Sequence, residues 1–461
     1  MNSVNTFFAT LSGYVWGVPL LVLLVGTGVF LTLRLRLLQV TMLPHALYET
    51  FAKPKSSEMG DVSHFQALMV ALAATIGTGN IVGVATAISV GGPGALFWMW
   101  VTAAFGMATK YAEGVLAVKY RIVDEKGEMC GGPMYYLERG LGCKWLGVMF
   151  AVFGSVAAFG IGNAVQANAV AGNLRETFGF NPWITGVVLS LLTATVIMGG
   201  IRNIGRVSAW MVPIMAIIYV AGCLMILFRF AGDIPAALYL VFHDAFTGSA
   251  ATGGFMGAAV MLAIQKGVSR GVFSNESGMG SAPIAAAAAK TNEPCEQALV
   301  SMTGTFIDTI IVCTMTGLVL IVTGAWHSGV EVSALTKSAF DIGLPGNAGG
   351  YIVSFGIVFF AYSTIIGWAY YGEKCIEYLA GVKALFPYRI LYAAVVCVGA
   401  GAKLELVWNF ADVMNGLMAI PNLIGLLGLS GVVVAETQRF LSARKRMGSG
   451  EGEAVTELPL N

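Results

Sequence analysis

Long apolar runs alternate with short polar segments along almost the whole of this 461-residue chain. A helix that crosses the hydrocarbon core of a bilayer needs about 20 predominantly apolar residues. The pattern therefore predicts an all-α polytopic membrane protein with about eleven spans, at residues 14–33, 66–90, 95–118, 146–171, 183–200, 207–230, 255–290, 299–323, 350–371, 387–402 and 406–436. The last run is too long for one straight helix, and we expect Pro421 to kink or split it.

The second and seventh runs contain glycines and polar residues near their middle. The second reads AATIGTGNIVG over residues 73–83, and the seventh reads SRGVFSNESGMGSAP over residues 269–283. Glycine weakens a helix, and lipid cannot satisfy the polar groups of Asn, Ser and Thr. Both spans are therefore predicted to be broken helices. The second of them is expected to restart at Pro283, because proline is favoured in the first turn of a helix.

Two broken helices five spans apart predict an internal repeat. Residues 66–230 and 255–436 would be inverted copies of a five-helix unit, and residues 14–33 would be an extra N-terminal span. Interrupted spans at matching places in two halves are typical of a transporter's binding site. The backbone groups freed by the breaks must be satisfied in the bilayer. A small zwitterion and a cation would satisfy them.

The distribution of charge predicts the orientation. Only 11% of the residues are charged, whereas 57% are hydrophobic. With the N-terminus outside, 19 Lys and Arg residues fall in the predicted inside segments and four in the outside segments, as the positive-inside rule expects. We therefore predict a multi-pass protein of the plasma (inner) membrane with a cytoplasmic C-terminus. Its Gly-rich acidic tail, residues 447–461, is predicted to be disordered.

Several classes of function are not expected. The seven cysteines and four histidines have no metal-ligand spacing, and the chain has no GxxxxGK[ST] phosphate-binding loop. We predict neither an enzyme, nor a partner of nucleic acid, nor an ATP-driven pump. A channel would need a continuous polar pore lining, and an intramembrane hydrolase would need paired catalytic groups; the sequence indicates neither. The oligomeric state stays open.

Five segments resemble the amino acid (alanine/glycine):cation symporter family, of the sodium:alanine symporter type. They are GTGNIVGVATAISVGGPGALFWMWVTAAFGMATKYAEGVLAVKYR (77–121), GGPMYYLERGLG (131–142), NIGRVSAWMVPIMAIIY (203–219), SRGVFSNESGMGSAPIAAAAAKTNEPCEQALVSMTGTFIDT (269–309) and FAYSTIIGWAYYGEK (360–374). The resemblance implies a leucine-transporter-like 5+5 inverted repeat, coupling to Na⁺ (H⁺ in some members) and uptake of alanine or glycine. The alternative is an H⁺-coupled symporter of another small neutral amino acid.

The resemblance also implies which residues form the site. The substrate would be bound by residues of the two breaks and of the fourth and ninth spans: Thr78, Gly79, Asn80, Gln166, Phe273, Thr364 and Trp368. Na⁺ would be bound by the carbonyl oxygens of Ala73, Ile76 and Phe360 and by the hydroxyls of Ser363 and Thr364, since hard cations favour oxygen ligands. A second sodium site would use Thr75 and Asn80.

Other polar residues of the spans have two interpretations each. Asp308 lies near the middle of the eighth span, where an ionisable residue is a functional hypothesis by default. It would relay protons or tune a cation site, or it would be held by Ser, Thr or Asn of neighbouring spans. Glu276 has the same alternatives. The remaining candidates are an outer vestibule at Lys266 and Arg270 and the undecided pair Asp412 and Asn415.

Overall fold

The computed structural model describes residues 2–52, 58–247, 256–402 and 405–448, and these residues are almost entirely helical. The helices are α1 (Asn2–Val15), α2 (Val18–Arg34), α3 (Leu38–Thr41), α4 (Leu43–Phe51), α5 (His64–Thr75), α6 (Val84–Gly91), α7 (Gly94–Lys119), α8 (Pro133–Arg139), α9 (Lys144–Phe159), α10 (Val165–Phe178), α11 (Pro182–Ile197), α12 (Gly200–Arg229), α13 (Ile234–Thr247), α14 (Met256–Asn275), α15 (Ala282–Ala286), α16 (Pro294–Thr305), α17 (Thr314–Val322), α18 (Val332–Gly343), α19 (Ala348–Ala380), α20 (Leu385–Gly401), α21 (Glu405–Gly428) and α22 (Ser430–Gly448).

Short elements connect these helices. Three π-helical turns lie at Gly79–Gly83, Gly160–Ala164 and Phe306–Cys313. The first leads into α6, the second joins α9 to α10, and the third joins α16 to α17. An antiparallel hairpin of β1 (Ile122–Val123) and β2 (Met129–Cys130) follows α7. Three parts of the sequence-based prediction lie outside the described residues. They are the predicted disordered tail beyond residue 448, the start of the seventh span at residue 255, and the charged residues Lys53, Lys55 and Lys403.

Most predicted spans coincide with helices. Within the described residues, seven helical stretches are long and apolar enough to cross a bilayer, and the bent pair α5 and α6 makes an eighth. An all-α, multi-pass protein is therefore confirmed, whereas the count of eleven stays a prediction. The short helices α13 and α18 were not predicted, because 14 and 12 residues are too few for a span.

The first predicted break is present between α5 and α6, whose axes differ by 54°. A capping box at Ser63 and Gln66 starts α5, and the chain leaves the helix at Ile76, with φ −74° and ψ 91°. A Cβ atom on Gly77 would lie 2.5 Å from the Thr364 hydroxyl oxygen. Any larger residue would therefore displace the Thr364 hydroxyl where the unwound chain passes α19.

The second break begins later than predicted. Helix α14 continues to Asn275, so Gly271 lies inside the helix. A Cβ atom on Gly271 would lie 3.3 Å from Met99 and Thr102 of α7, so close helix packing explains this glycine. The chain turns at Glu276, with φ 54°, and at Gly278 and Gly280, with φ 86° and 83°. Helix α15 then begins with a proline in its first turn, as predicted.

Two backbone segments close one end of the molecule. Four N–H···O bonds of 2.8–3.2 Å join residues 59–62, before α5, to residues 288–291, after α15. Arg121, just beyond α7, donates to four carbonyl oxygens of the same region, those of Met59, Ala287, Ala289 and Thr291. We call residues 59–62, residues 287–291 and Arg121 the clasp. The clasp ties the two broken helices together on the side of the molecule that carries the hairpin.

The last predicted span consists of two helices, but the break is not at Pro421. It lies at Leu429, between α21 and α22, and Pro421 is inside α21. The neighbouring Asn422 anchors α21, because its side-chain amide donates to Glu113 at 2.7 Å and to the Gly278 carbonyl at 2.8 Å. The helix is thus held at the residue that follows its proline, and it ends only beyond these contacts, at Gly428.

Candidate functional site

A small cavity lies where the first break faces α10, α14 and α19. Its volume is about 20 Å³, enough for about one water molecule in this conformation. Six of the seven predicted substrate residues line it, and Asn80 is the exception. The full lining is Ala74, Thr75, Gly77, Thr78, Gly79, Ile161, Gln166, Phe273, Glu276, Thr364, Trp368 and Asn415.

Thr78 and Gln166 meet at one wall of this cavity. The Thr78 hydroxyl donates to the Gln166 side-chain oxygen at 3.3 Å, and the Gln166 amide nitrogen donates to the Ile161 carbonyl at 3.1 Å. Gln166 follows the π-helical turn at Gly160–Ala164, and such turns occur often at functional sites. These bonds fix the amide of Gln166 at the break, where it faces the cavity.

Asn80 lies behind the cavity wall. It is completely buried, its side-chain oxygen accepts from the Gly77 N–H at 2.9 Å, and its amide nitrogen donates to Asp308 at 2.7 Å. The Asp308 carboxylate also accepts from Ser274 at 2.9 Å and from Thr309 at 2.7 Å. Three donors thus satisfy this carboxylate, and Asn80 links the first break to the span that carries it.

Four of the five predicted sodium ligands lie together beside the first break. The Ser363 hydroxyl donates to the Phe360 carbonyl at 2.8 Å and to the Ile76 carbonyl at 3.4 Å, and the Thr364 hydroxyl donates to Phe360 at 3.0 Å. Ala73 is buried one turn earlier in α5. Hydroxyls in membrane helices also bond to their own helix without any ligand. The cluster of oxygens is therefore present, and its role as a cation site stays a prediction.

The second predicted sodium site, at Thr75 and Asn80, stays a prediction. The Thr75 hydroxyl lines the cavity and donates to the Ala71 carbonyl of its own helix at 3.1 Å. The Asn80 side chain bonds to Gly77 and Asp308 behind the wall. These two side chains therefore have separate partners in this conformation.

Glu276 and Asn415, which the sequence left undecided, both line the cavity. One carboxylate oxygen of Glu276 accepts from the Trp368 indole N–H at 3.0 Å, and the other accepts from the Ser281 hydroxyl at 2.5 Å. A carboxylate is therefore held at the wall of the cavity. The polar residues of the second break were the only sequence signal for this contact.

Trp368 is held in place by close packing. It is 1% exposed, and a Cβ atom on Gly162 would lie 2.3 Å from the Cβ atom of Trp368. On the other side of the cavity, a Cβ atom on Gly79 would lie 3.4 Å from the Phe273 ring. Two aromatic walls thus restrict the size of any ligand.

A wider cavity lies on the other side of Phe273, which lines both cavities. Its volume is about 190 Å³, and Lys266 and Arg270 line it, as expected for the predicted vestibule. The Arg270 guanidinium lies over the Phe273 ring, 5.6 Å from its centroid, in cation–π geometry. Asp412 lies in the same cavity, where Ser12 of α1 donates to its carboxylate. The N-terminal helix α1 therefore forms part of the vestibule wall.

One group of metal-type side chains occurs elsewhere in the described residues: Asp124, Cys130 and Glu377. The Lys374 ammonium group donates to Cys130 at 3.2 Å and to Glu377 at 2.8 Å. A cation of the protein therefore already compensates the charge of this group. Burial raises the pKa of the Cys130 thiol to about 12.

The family model described as the sodium:alanine symporter family matches residues 1–453, almost the whole chain. The chain belongs to the sodium:alanine symporter family. The predicted resemblance is thereby confirmed, and the function of the family is transport, not catalysis. AgcS of Methanococcus maripaludis, a sodium/alanine symporter, is 58% identical over 454 residues, which cover 96% of this chain and 97% of the relative.

A second relative has a name that mentions two ions. YrbD of Bacillus subtilis is 38% identical over 92% of this chain and 90% of its own length, and its name includes both sodium and proton dependence. A solved structure of a Na⁺-coupled sialic acid symporter in its substrate-bound outward-open state has the same fold. It matches with a TM-score of 0.51 and 14% identity, over 92% of this chain and 86% of that one. The chain therefore shares its fold with a Na⁺-coupled symporter of low sequence identity.

Proposed function

We propose that the protein couples the influx of Na⁺ to the uptake of alanine or glycine. The observation that carries this proposal is the closeness of two features: a small cavity with a polar and aromatic lining, and an oxygen cluster at Ser363, which share the unwound chain of the first break. Thr364 belongs to both. A bound cation and a bound amino acid would therefore stabilise each other, and such coupling is reciprocal.

In this proposal the amino acid lies across the first break. Its carboxylate accepts from the N–H groups of the unwound chain at the start of the helical segment that follows Thr78, where the helix dipole is positive. The Thr78 hydroxyl and the Gln166 amide add polar contacts. The Glu276 carboxylate, held by Trp368, faces the ammonium group. The aromatic walls leave room for hydrogen or a methyl group as the side chain.

Na⁺ would lie between the oxygens of the Ser363 cluster, and the two hydroxyls would keep their protons and turn them away from the carbonyl oxygens. The carbonyl oxygens of Ile76 and Phe360, the hydroxyls of Ser363 and Thr364, and the Ala73 carbonyl would be its ligands. None of these ligands is a carboxylate, so the attraction comes from dipoles and from the negative end of the bound substrate. The cation would thus bind firmly only together with the amino acid.

Transport follows from alternating access around this site. The vestibule beyond Phe273 is the outer path, and the clasp closes the inner path. The positive-inside bias places the hairpin and the clasp in the cytoplasm and the N-terminus outside the plasma (inner) membrane. The two broken helices then belong to inverted five-helix repeats that rock against each other.

The direct test is uptake of radiolabelled alanine into proteoliposomes with and without an inward Na⁺ gradient. We expect uptake to require the gradient and to be lost in Ser363→Ala. Ser354→Ala is the matched control, because this buried serine on the same helix bonds to Thr177 at 3.0 Å, away from the site. Uptake that is indifferent to Na⁺, or that survives in Ser363→Ala, would refute the proposed sodium site.

An H⁺-coupled symport of a small neutral amino acid is the second candidate. It is favoured by Glu276 and Asp308, two buried carboxylates beside the first break and the cavity. Uptake that is driven by a pH gradient without Na⁺ would identify this mechanism. Trans-stimulated exchange of alanine would separate either carrier from a channel.

A further inference from the structure

Four ionisable side chains are buried together in the middle of the molecule. Lys110 and Glu113 lie one turn apart on α7, Glu276 lies at the second break, and Asp308 lies on the π-helical turn after α16. They are 3%, 1%, 7% and 0% exposed, respectively. Charged groups inside a membrane protein are costly and are retained when they have a function.

Hydrogen bonds satisfy these groups unequally. Asp308 has its three donors, and Glu276 has Trp368 and Ser281. In Glu113, one oxygen accepts from the Gly280 N–H at 3.1 Å and from Asn422 at 2.7 Å, whereas the other is buried without a partner. The Lys110 ammonium group and the Tyr371 hydroxyl are also buried without a partner in the described residues.

The two glutamates bond to adjacent residues of the second break, Glu113 to the Gly280 N–H and Glu276 to the Ser281 hydroxyl. Lys110 lies one turn from Glu113 on α7, and the Tyr371 ring lies 5.6 Å from the ring of Trp368, whose indole N–H donates to Glu276. Buried polar atoms without partners cost about 1–3 kcal/mol each, so native structures satisfy them with water or another ligand. A hydrated space beside the glutamates is therefore expected.

The balance of charge among these side chains indicates that the glutamates bind a proton. Three carboxylates share one cation, Lys110, and the three neutral donors of Asp308 stabilise its ionised form without cancelling its charge. If both glutamates were ionised as well, at least one unit of negative charge would stay uncompensated in a medium of low dielectric constant. One proton shared by the glutamates reduces this excess, as in other pairs of carboxylates that share a site.

We propose that Glu113, Glu276 and Lys110 form a proton-binding site that is linked to the substrate cavity. One proton is held by the two carboxylates while the cavity is empty. When an amino acid enters, its ammonium group faces Glu276 and favours the ionised form, so the proton passes to water. This inference rests on the proposed function, because it needs a zwitterionic amino acid in the cavity that Glu276 lines.

The surroundings of the two glutamates contain few other titratable groups. Tyr136 on α8 reaches Glu113 only through Asn422, Tyr371 on α19 packs against Trp368, and Asp308 faces the second break through its bond with Ser274. Asn422 on α21 and the N–H of Gly280 contribute only neutral donors to Glu113. The exchange of a proton on substrate binding is thus assigned to the glutamate pair.

The test is calorimetric titration of the purified full-length protein with L-alanine in saturating Na⁺. Two buffers of different ionisation enthalpy, phosphate and Tris, give the number of protons exchanged on binding. We expect release of up to about one proton, and an alanine Kd that rises up to tenfold per pH unit as the pH is lowered. Glu113→Gln should reduce the release to near zero, and Glu138→Gln, which changes a carboxylate far from the site, should leave it unchanged.

Lys110 gives an independent variant if Glu113→Gln does not fold. Lys110→Met leaves the glutamates without their cation, so the pH dependence of alanine binding should move to higher pH. Lys110→Arg keeps the charge and should leave the dependence near that of the wild type. Alanine binding without proton exchange between about pH 5.5 and 8.5 would overturn the inference while leaving the proposed function intact. Absence of alanine binding would overturn the proposed function itself.

Discussion

Gly77→Ala is the sharpest perturbation of the proposed site, because it adds one methyl group where two ligands would meet. The new Cβ atom would lie 2.5 Å from the Thr364 hydroxyl oxygen, 3.6 Å from the Thr364 Cβ atom and 3.8 Å from the Gln166 side-chain oxygen. Only the first distance is shorter than an ordinary contact. The substitution therefore acts on the one hydroxyl that belongs to both the substrate set and the sodium set.

The size of the effect follows from this distance. The hydroxyl must move by about 1 Å, and overpacking of this kind costs about 1–3 kcal/mol. At 1.4 kcal/mol per tenfold change, the Kd for alanine in saturating Na⁺ should rise about 5- to 150-fold. The Na⁺ concentration that supports half-maximal binding should rise as well. Equilibrium binding of radiolabelled alanine to the purified protein measures both quantities.

Gly83→Ala is the matched control for this experiment. Gly83 lies on the same broken helix, and a Cβ atom there would have nothing within 4 Å. We expect alanine affinity within about threefold of the wild type, since no neighbour must move. If Gly77→Ala also binds alanine with unchanged affinity, the amino acid and the cation do not meet at Thr364, and the reasoning is wrong.

Three further predictions concern the clasp, the aromatic wall and the break. Arg121→Ala removes four hydrogen bonds from the clasp. Burial raises the pKa of the Cys130 thiol to about 12, so opening the clasp should make Cys130 react roughly tenfold faster with a maleimide near neutral pH. An unchanged rate would mean that the clasp stays closed. Gly162→Ala should displace the cavity tryptophan and reduce alanine uptake at least about tenfold, whereas Gly172→Ala, with nothing within 4 Å, should transport normally. Asn80→Ala leaves buried partners unsatisfied, at about 1–3 kcal/mol each, so both uptake and the melting temperature should fall; a variant of wild-type stability would contradict its role behind the wall.

The first break could be predicted because its signal is local. Gly77, Gly79 and the polar residues between apolar neighbours are visible in a short stretch of sequence. The second break was placed too early, because Gly271 looks the same in the sequence as a glycine that ends a helix. Its reason is contact with α7, about 170 residues away in the chain, and no local pattern contains such contacts.

The position of Asn80 relative to the cavity could not be predicted for a similar reason. Its motif places it beside Thr78 and Gly79, but its side chain turns to Asp308, 228 residues later in the chain. The residues of the π-helical turn before Gln166 also look like ordinary helix in the sequence. Sequence patterns thus identified which segments meet, whereas the direction of each side chain depended on partners from distant segments.

The clasp has a consequence for the speed of transport. Because four of its bonds connect backbone to backbone, they do not depend on which side chains the two segments carry. These segments can therefore vary in sequence without loosening the closure, except at Gly60, where a Cβ atom would lie 2.5 Å from the backbone of Ala289 and Lys290. The bonds also lie side by side, so releasing one exposes the next to water. We therefore expect the inner path to open as a single cooperative event, with one rate constant and no populated half-open state.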